Sequence, residues 1–177
     1  IEIDKNIQAE KIRKCVDEIT INDFVKNSDK DVLELNRHVL SNGSAVPLLH
    51  FKKLSELSMI EHCFTTRLGG LSTGMFESLN LSFTRGDEEK NVLENYKRVA
   101  EAIGAEVGQI VTTDQTHTTN VLRVGRKQCG IGVTRKRPYT DVDGLITNEP
   151  NVVLATFYSD CVPLYFVDPV HRAIGLS

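Results

Sequence analysis

The sequence has no tryptophan, no Cys-x-x-Cys pair, no long apolar run and no large charge of either sign. The shortage of aromatics, 6% of the chain, decides nothing about function. The small net charge does decide something: 21 basic and 24 acidic side chains leave a balance of −3. With a pI near 6.0, there is no electrostatic case for nucleic acid or an anionic membrane surface. The most apolar stretch, residues 152–167, is interrupted by Ser159, Asp160 and Pro163. It therefore offers no membrane span, which needs about 20 apolar residues. No basic region followed by an apolar run opens the chain, so no secretory signal is expected. The first residue is Ile1 rather than Met, which reads as processing or trimming.

What is present is ordinary for a globular protein. At 177 residues, 40% hydrophobic and 25% charged, the chain fits a single domain that buries roughly 70% of its unfolded surface. Disorder is excluded by the same figures. The cysteines at 15, 63, 129 and 161 are widely spread, which predicts reduced thiols and a cytoplasmic protein. Five histidines and four cysteines leave room for one metal site.

Residues 5–19 carry Ile7, Ile12, Val16 and Ile19 as a partial helical stripe. Residues 29–40 are ambiguous, and Asn42-Gly43-Ser44 predicts a turn. The first 40 residues are expected to form an N-terminal segment, either an arm or the opening of the sheet, ahead of a main domain over 41–177. Residues 46–51 and 59–65 predict short strands around a turn of helix, followed by a Gly-rich loop over 68–74. Asp87 is the expected N-cap of a helix whose buried stripe is Val92, Tyr96, Val99, Ala100 and Ile103, with Gly104 as its stop. Short β-rich runs follow at 109–113, 121–124, 144–147, 152–158, 162–167 and 172–176. Strands clustering after a helix, rather than alternating with helices, predict an α+β fold with mixed or antiparallel sheets.

Four local patterns carry chemistry. In Tyr158-Ser159-Asp160-Cys161-Val162-Pro163, a carboxylate and a thiol interrupt an apolar strand pair, where burying a charge is expensive. The plain reading is a turn, with Cys161 filling a small hole in the core. In Asp114-Gln115-Thr116-His117, the imidazole is either an exposed turn residue or a ligand. Imidazole and thiolate both suit zinc, but no spacing rule joins His117 to Cys161, and a third protein ligand is needed. In Thr66-Arg67-Leu68-Gly69-Gly70, the glycines let backbone approach a ligand and the Arg suits a phosphate or carboxylate. The alternative is a tight surface turn. The P-loop pattern is absent. Asp141-Val142-Asp143-Gly144 suits either a turn or a general acid–base group. The basic runs at 123–127 and 135–137 read as solvated loop charges.

Taken in order, the segments His62-Cys63-Phe64-Thr65-Thr66-Arg67-Leu68-Gly69-Gly70, Ser78-Leu79-Asn80-Leu81, Gly86-Asp87, Glu94-Asn95, Gln115-Thr116-His117, Asp143-Gly144-Leu145-Ile146-Thr147, Asp160-Cys161-Val162-Pro163 and Asp168-Pro169 resemble the YfiH-type family. That family has been labelled polyphenol oxidase or laccase-domain and includes zinc-dependent purine nucleoside-processing enzymes. The resemblance spans about residues 46–177. It implies an α+β fold of mixed β-sheets with flanking helices, shared with some cysteine-dependent toxins.

It also implies phosphorolysis of adenosine, inosine, guanosine and methylthioadenosine, together with deamination of adenosine. The implied zinc ligands are His117, Cys161 and a second histidine that in the family follows a strand like Ala173-Ile174-Gly175-Leu176-Ser177. The chain ends at Ser177, so the expectation is two ligands of three and an incomplete enzyme. Zinc held this way keeps a position open for water and lowers its pKa. Asp160 or Asp143 would move protons. Arg67, with the Gly69 and Gly70 amides, would clamp phosphate, and Asn80 and Gln115 would face substrate or support the site. Copper as the principal metal is rejected, because five scattered histidines cannot build a multicopper cluster. The expected partners are purine nucleosides and phosphate, with no nucleic acid or membrane, and a monomer is favoured. Two rivals are a cysteine hydrolase with Cys161 as nucleophile and His117 as base, and a non-catalytic interaction domain.

Overall fold

The computed structural model describes residues 15–24 and 30–177, which divide into two compact units meeting at Ile103 and Gly104. Most of the expected helix over 5–19 lies outside the described residues; 15–18 are helical.

The first unit is built on an antiparallel sheet of β1 (Leu33–Val39), β2 (Ala45–Phe51) and β3 (Phe64–Thr65), with β2 in the centre. A central strand is covered on both faces, which is why Val46, Leu48, Leu49 and His50 are all buried. β1 and β2 pair from Leu33 opposite Phe51 to Val39 opposite Ala45. The boundary expected after residue 40 therefore falls in the turn of this hairpin, where Gly43 takes φ 80°. Residues 33–39 open the sheet.

The strand expected over 59–65 shortens to Phe64–Thr65. The register places Leu49 opposite Phe64, so its continuation would set Phe51 against His62. Instead the His62 side chain intervenes, its Nε2 accepting the Phe51 N–H at 2.8 Å. A short helix, α1 (Lys52–Ser55), follows β2.

Helix α2 (Glu89–Ala102) buries Val92, Tyr96, Val99 and Ala100 of the predicted stripe, and Asn95 with them, while Ile103 is the half-buried C-cap. Val99 packs on Leu40, Val46, Leu48 and Leu79 to form the unit's core. Gly104 at φ 69° follows the helix end. The N-cap is Glu88 rather than Asp87. Asp87 is drawn away: its Oδ2 accepts from Ser72 Oγ at 2.6 Å and Asn80 Nδ2 at 2.9 Å.

In the second unit, β4 (Ile110–Thr112) pairs in parallel with β7 (Val153–Ala155). A mixed sheet runs in the order β5 (Val121–Arg123), β6 (Gly144–Thr147), β9 (Ala173–Leu176), β8 (Tyr165–Asp168). Its β5–β6 pair is parallel and the other two are antiparallel. Val111, Val124, Ile131, Val142, Leu145 and Val152 form the core. Two arginines of the 135–137 run tie the loops around it, Arg135 while exposed as expected and Arg137 half-buried. Arg135 Nη1 donates to the carbonyls of Lys127 and Cys129 at 2.9 and 3.0 Å. Arg137 donates to Thr113 O at 2.8 Å and pairs with Asp114. Among the described residues no helix is long and apolar enough to cross a membrane.

Candidate functional site

The expected site residues fall in both units, and each group is described within its own. In the first unit, Arg67 leads from β3 into the glycine loop. Its guanidinium donates to Met75 O at 2.8 Å and to Glu77 O. The Nε edge of Arg67 thus holds the loop closed. The two glycines bring backbone close to backbone. A Cβ on Gly70 would stand 2.1 Å from Ser78 O, and one on Gly69 2.8 Å from Ala45 O. Close approach to the protein's own chain explains both glycines without a ligand.

Asn80 is similarly engaged. Its Nδ2 donates to Ser82 O and Asp87, and its Oδ1 accepts the Ser82 N–H at 3.0 Å. That is the supporting role. Sequence reasoning missed the centre of this network, Asn95, which is 0% exposed. Its Nδ2 donates to Ser72 Oγ and Asn80 O, and its Oδ1 accepts the Leu71 N–H at 2.8 Å. Its sequence signals are its place in the Glu94-Asn95 segment and a position on the buried face of the helix.

In the second unit, Cys161 and His117 come together across 44 positions, with Sγ 3.9 Å from Nε2 and both residues exposed. The core-filling reading of Cys161 therefore fails. Cys63 occupies such a place, in the first unit, and there burial, with Glu61 adding to it, pushes the thiol up to about 12. Two ligands of one tetrahedral zinc, at about 2.0–2.1 Å for nitrogen and 2.3 Å for sulfur, would sit about 3.6 Å apart. The pair is thus suited in donor type and spacing. Among the described residues, no group of three or more His, Cys, Asp or Glu is placed to hold a metal.

His117 adopts φ 64°, the left-handed region that few non-glycine residues enter, histidine being among those that enter it more often. Asp143 lies beneath its loop. Oδ1 accepts the His117 N–H at 2.9 Å, and Oδ2 accepts the N–H groups of Thr116 and Thr118 at 3.1 and 3.0 Å. Oδ2 also accepts Thr118 Oγ1 at 2.9 Å. Desolvation works to raise the Asp143 pKa, but these bonds from Thr118, Thr116 and His117 outweigh it and hold the group at about 2. A carboxylate so committed is a poor proton carrier near neutrality.

Asp160 is exposed beside Cys161. Gln115 Oε1 accepts Thr113 Oγ1 and the Phe157 N–H, while its Nε2 donates to Phe157 O at 2.9 Å, again a supporting role. Tyr158 donates its hydroxyl to Ser177 O at 2.8 Å and so ties the segment between β7 and Cys161 to the residue that follows β9.

These arrangements define an α+β protein of the YfiH type, with a His–Cys pair at the surface of its second unit. Residues 61–177 match the family described as multi-copper polyphenol oxidoreductase laccase, and the chain belongs to that family. It is 37% identical over 115 residues to purine nucleoside phosphorylase YlmD of Bacillus subtilis, covering 64% of this chain and 41% of that protein. It is 35% identical over 129 residues to a purine nucleoside phosphorylase of Bacteroides thetaiotaomicron, covering 72% and 48%. The crystal structure of the Bacillus licheniformis hypothetical protein YfiH is similar at TM-score 0.68 and 34% identity, over 73% of this chain and 48% of that one. YlmD from Geobacillus stearothermophilus is similar at TM-score 0.64 and 30% identity, over 79% and 52%. The chain spans under half the length of the curated relatives it matches.

Proposed function

We propose that this chain is part of a purine nucleoside phosphorylase that also deaminates adenosine, with zinc held in part by His117 and Cys161. The observation that carries the reading is the approach of two zinc-type donors to 3.9 Å at the surface, in a chain whose relatives carry that name. Zinc so bound would act as a Lewis acid beside an open position. A third donor would join from outside the described residues. The free thiols of all four cysteines accord with a reducing, cytoplasmic setting.

In phosphorolysis of inosine, a phosphate oxygen attacks C1′ of the ribose. The C1′–N9 bond breaks, its electron pair leaves with the purine, and the purine gains a proton. In the first unit, taken by itself, Arg67 carries the guanidinium whose chemistry suits a phosphate. Asp160 is the carboxylate suited to moving the proton, since Asp143 is spent on the His117 loop. Asn80 braces the turn at Ser82 within the first unit, and Gln115 ties the backbone at Phe157 within the second.

The test is made on zinc-replete full-length gene product. Hypoxanthine should appear from inosine only when phosphate is present, and ammonia should be released from adenosine. Both activities should fall with Cys161→Ala and His117→Ala. Protein that leaves inosine and adenosine untouched overturns the proposal.

The same 3.9 Å contact also favours a second reading, a cysteine hydrolase with His117 as base. Fast alkylation of Cys161 that neither zinc nor nucleoside slows would select it. A protein that holds no metal and shows no turnover would leave the non-catalytic interaction domain.

A further inference from the structure

We infer that Asp143 is a positioning residue, whose carboxylate collects the successive amides of residues 116–118 and so sets the His117 ring against Cys161. The inference rests on the reading of His117 and Cys161 as metal ligands, and it assigns Asp143 a role other than proton transfer.

Three consecutive N–H groups turned toward one anion form a concave nest, a backbone arrangement that binds negative charge. Here the anion belongs to the protein. The nest requires a left-handed residue, and His117 at φ 64° supplies it. The conformation that aims the imidazole is thus the one that points its own N–H at Asp143 Oδ1. Without the carboxylate, the segment loses the three amide hydrogen bonds that select this conformation at His117.

The carboxylate is itself fixed. Asp143 immediately precedes β6, and the N–H groups of Asp143 and Gly144 both donate to Asn120 O, at 3.0 and 3.1 Å. Asp141 reinforces the same loop from the other side. Its Oδ1 accepts Thr116 Oγ1 at 2.8 Å, and its carbonyl accepts Asn120 Nδ2 at 2.9 Å and shares the single Thr118 hydroxyl hydrogen with Asp143, at 3.1 Å. The His117 loop is therefore pinned to the edge of the mixed sheet. A metal ligand held this way loses little freedom when it coordinates, which is how groups behind a ligand tune affinity.

Both Asp143 oxygens accept hydrogen bonds, so Asp143→Asn must turn an amide NH2 against at least one donor. The test compares wild type, Asp143→Asn and the milder Thr118→Val, using Co2+ alone as the probe. Affinity is read from the cobalt–thiolate absorption band, and exchange of the residue 116–118 amides is followed by NMR on metal-free protein.

Asp143→Asn should weaken Co2+ by about 10–100-fold and accelerate exchange of the three amides. Thr118→Val, which keeps the carboxylate, should weaken Co2+ only a few-fold with the fold intact. Wild-type Co2+ affinity and band in Asp143→Asn, with only thermal stability reduced, overturns the proposal. So does unchanged exchange at His117, or wild-type affinity in Thr118→Val when Asp143→Asn does not fold. Wild-type protein that gives no cobalt–thiolate band sinks the metal reading instead. The exchange measurement then still decides whether Asp143 orders the loop.

Discussion

His38 and His50 bring their Nε2 atoms to 3.2 Å, from β1 and β2 of one hairpin. His62 stands edge-on to His50, with ring centroids 5.3 Å apart. The three imidazoles form a row in which a proton on one ring is felt by the next. His62 cannot be protonated on Nε2 without losing the Phe51 N–H.

A fall in stability on mild acidification is the first consequence. Burial lowers the pKa of all three histidines; the charge of His50 lowers His38 further, and that of His62 lowers His50 further. Glu61 and Glu34 oppose this without cancelling it. With folded values below the ordinary 6.5, the unfolded chain binds more protons in this range. The stability contribution is thus complete above about pH 6.5 and is lost as pH falls through the depressed values. Asp87 and Asp143 are held below their usual values and stay ionised throughout. Thermal melts of the first unit should fall in Tm from pH 7.5 to 5, with a shallower slope in His38→Gln. A flat wild-type profile would remove the histidine row from the account.

The glycine loop predicts unequal costs at two neighbouring positions. At Gly70 an added Cβ meets Ser78 O at 2.1 Å and Leu79 Cα at 2.5 Å, both backbone. Neither can yield cheaply, so Gly70→Ala should cost about 3 kcal/mol or more. Gly74 has open space around it but φ 64°, so Gly74→Ala should cost only about 1–2 kcal/mol of backbone strain. Urea denaturation ranks the two. Equal losses would mean that the Gly70 contact relaxes.

What the sequence could show was set by periodicity and by motif order. The α2 stripe, its Gly104 stop and the apolar β2 run obey local rules, so they were legible residue by residue. The strand expected over 59–65 shortened because a side chain, His62, took a hydrogen bond that pattern reading assigns to backbone. Asp87 was misplaced as the N-cap because Ser72 and Asn80, distant in sequence, claimed it. His117 and Cys161 were readable only through resemblance, since no spacing rule spans 44 positions. The loop geometry that aims His117 was invisible, because it depends on a carboxylate 26 residues away and on a left-handed histidine that residue type does not announce.

Asn95 should prove the costliest polar side chain of the first unit to remove. It is fully buried, and Asn95→Ala would strand the Leu71 N–H and Asn80 O while freeing Ser72 Oγ. Each stranded buried group costs about 1–3 kcal/mol, so a loss of about 2–4 kcal/mol is expected. Asn95→Asp keeps the shape but sets a carboxylate against the Asn80 carbonyl. Its folded pKa would be raised, so its penalty should grow from pH 4 to pH 7. Unfolding free energies at the two pH values check the sign.

Cys161→Ala separates a site residue from a packing residue. The side chain is exposed and lies 3.9 Å from His117 Nε2. The substitution leaves no cavity, so stability should stay within about 0.5 kcal/mol of wild type. Zinc content after dialysis should nevertheless drop, because a thiolate ligand has no substitute among the described neighbours. Cys63→Ser supplies the contrast. That side chain packs half-buried on the core of the first unit, and a hydroxyl there should lower Tm while leaving zinc content unchanged. If Cys161→Ala unfolds the protein instead, its thiol holds the fold, and the metal reading loses its sulfur ligand.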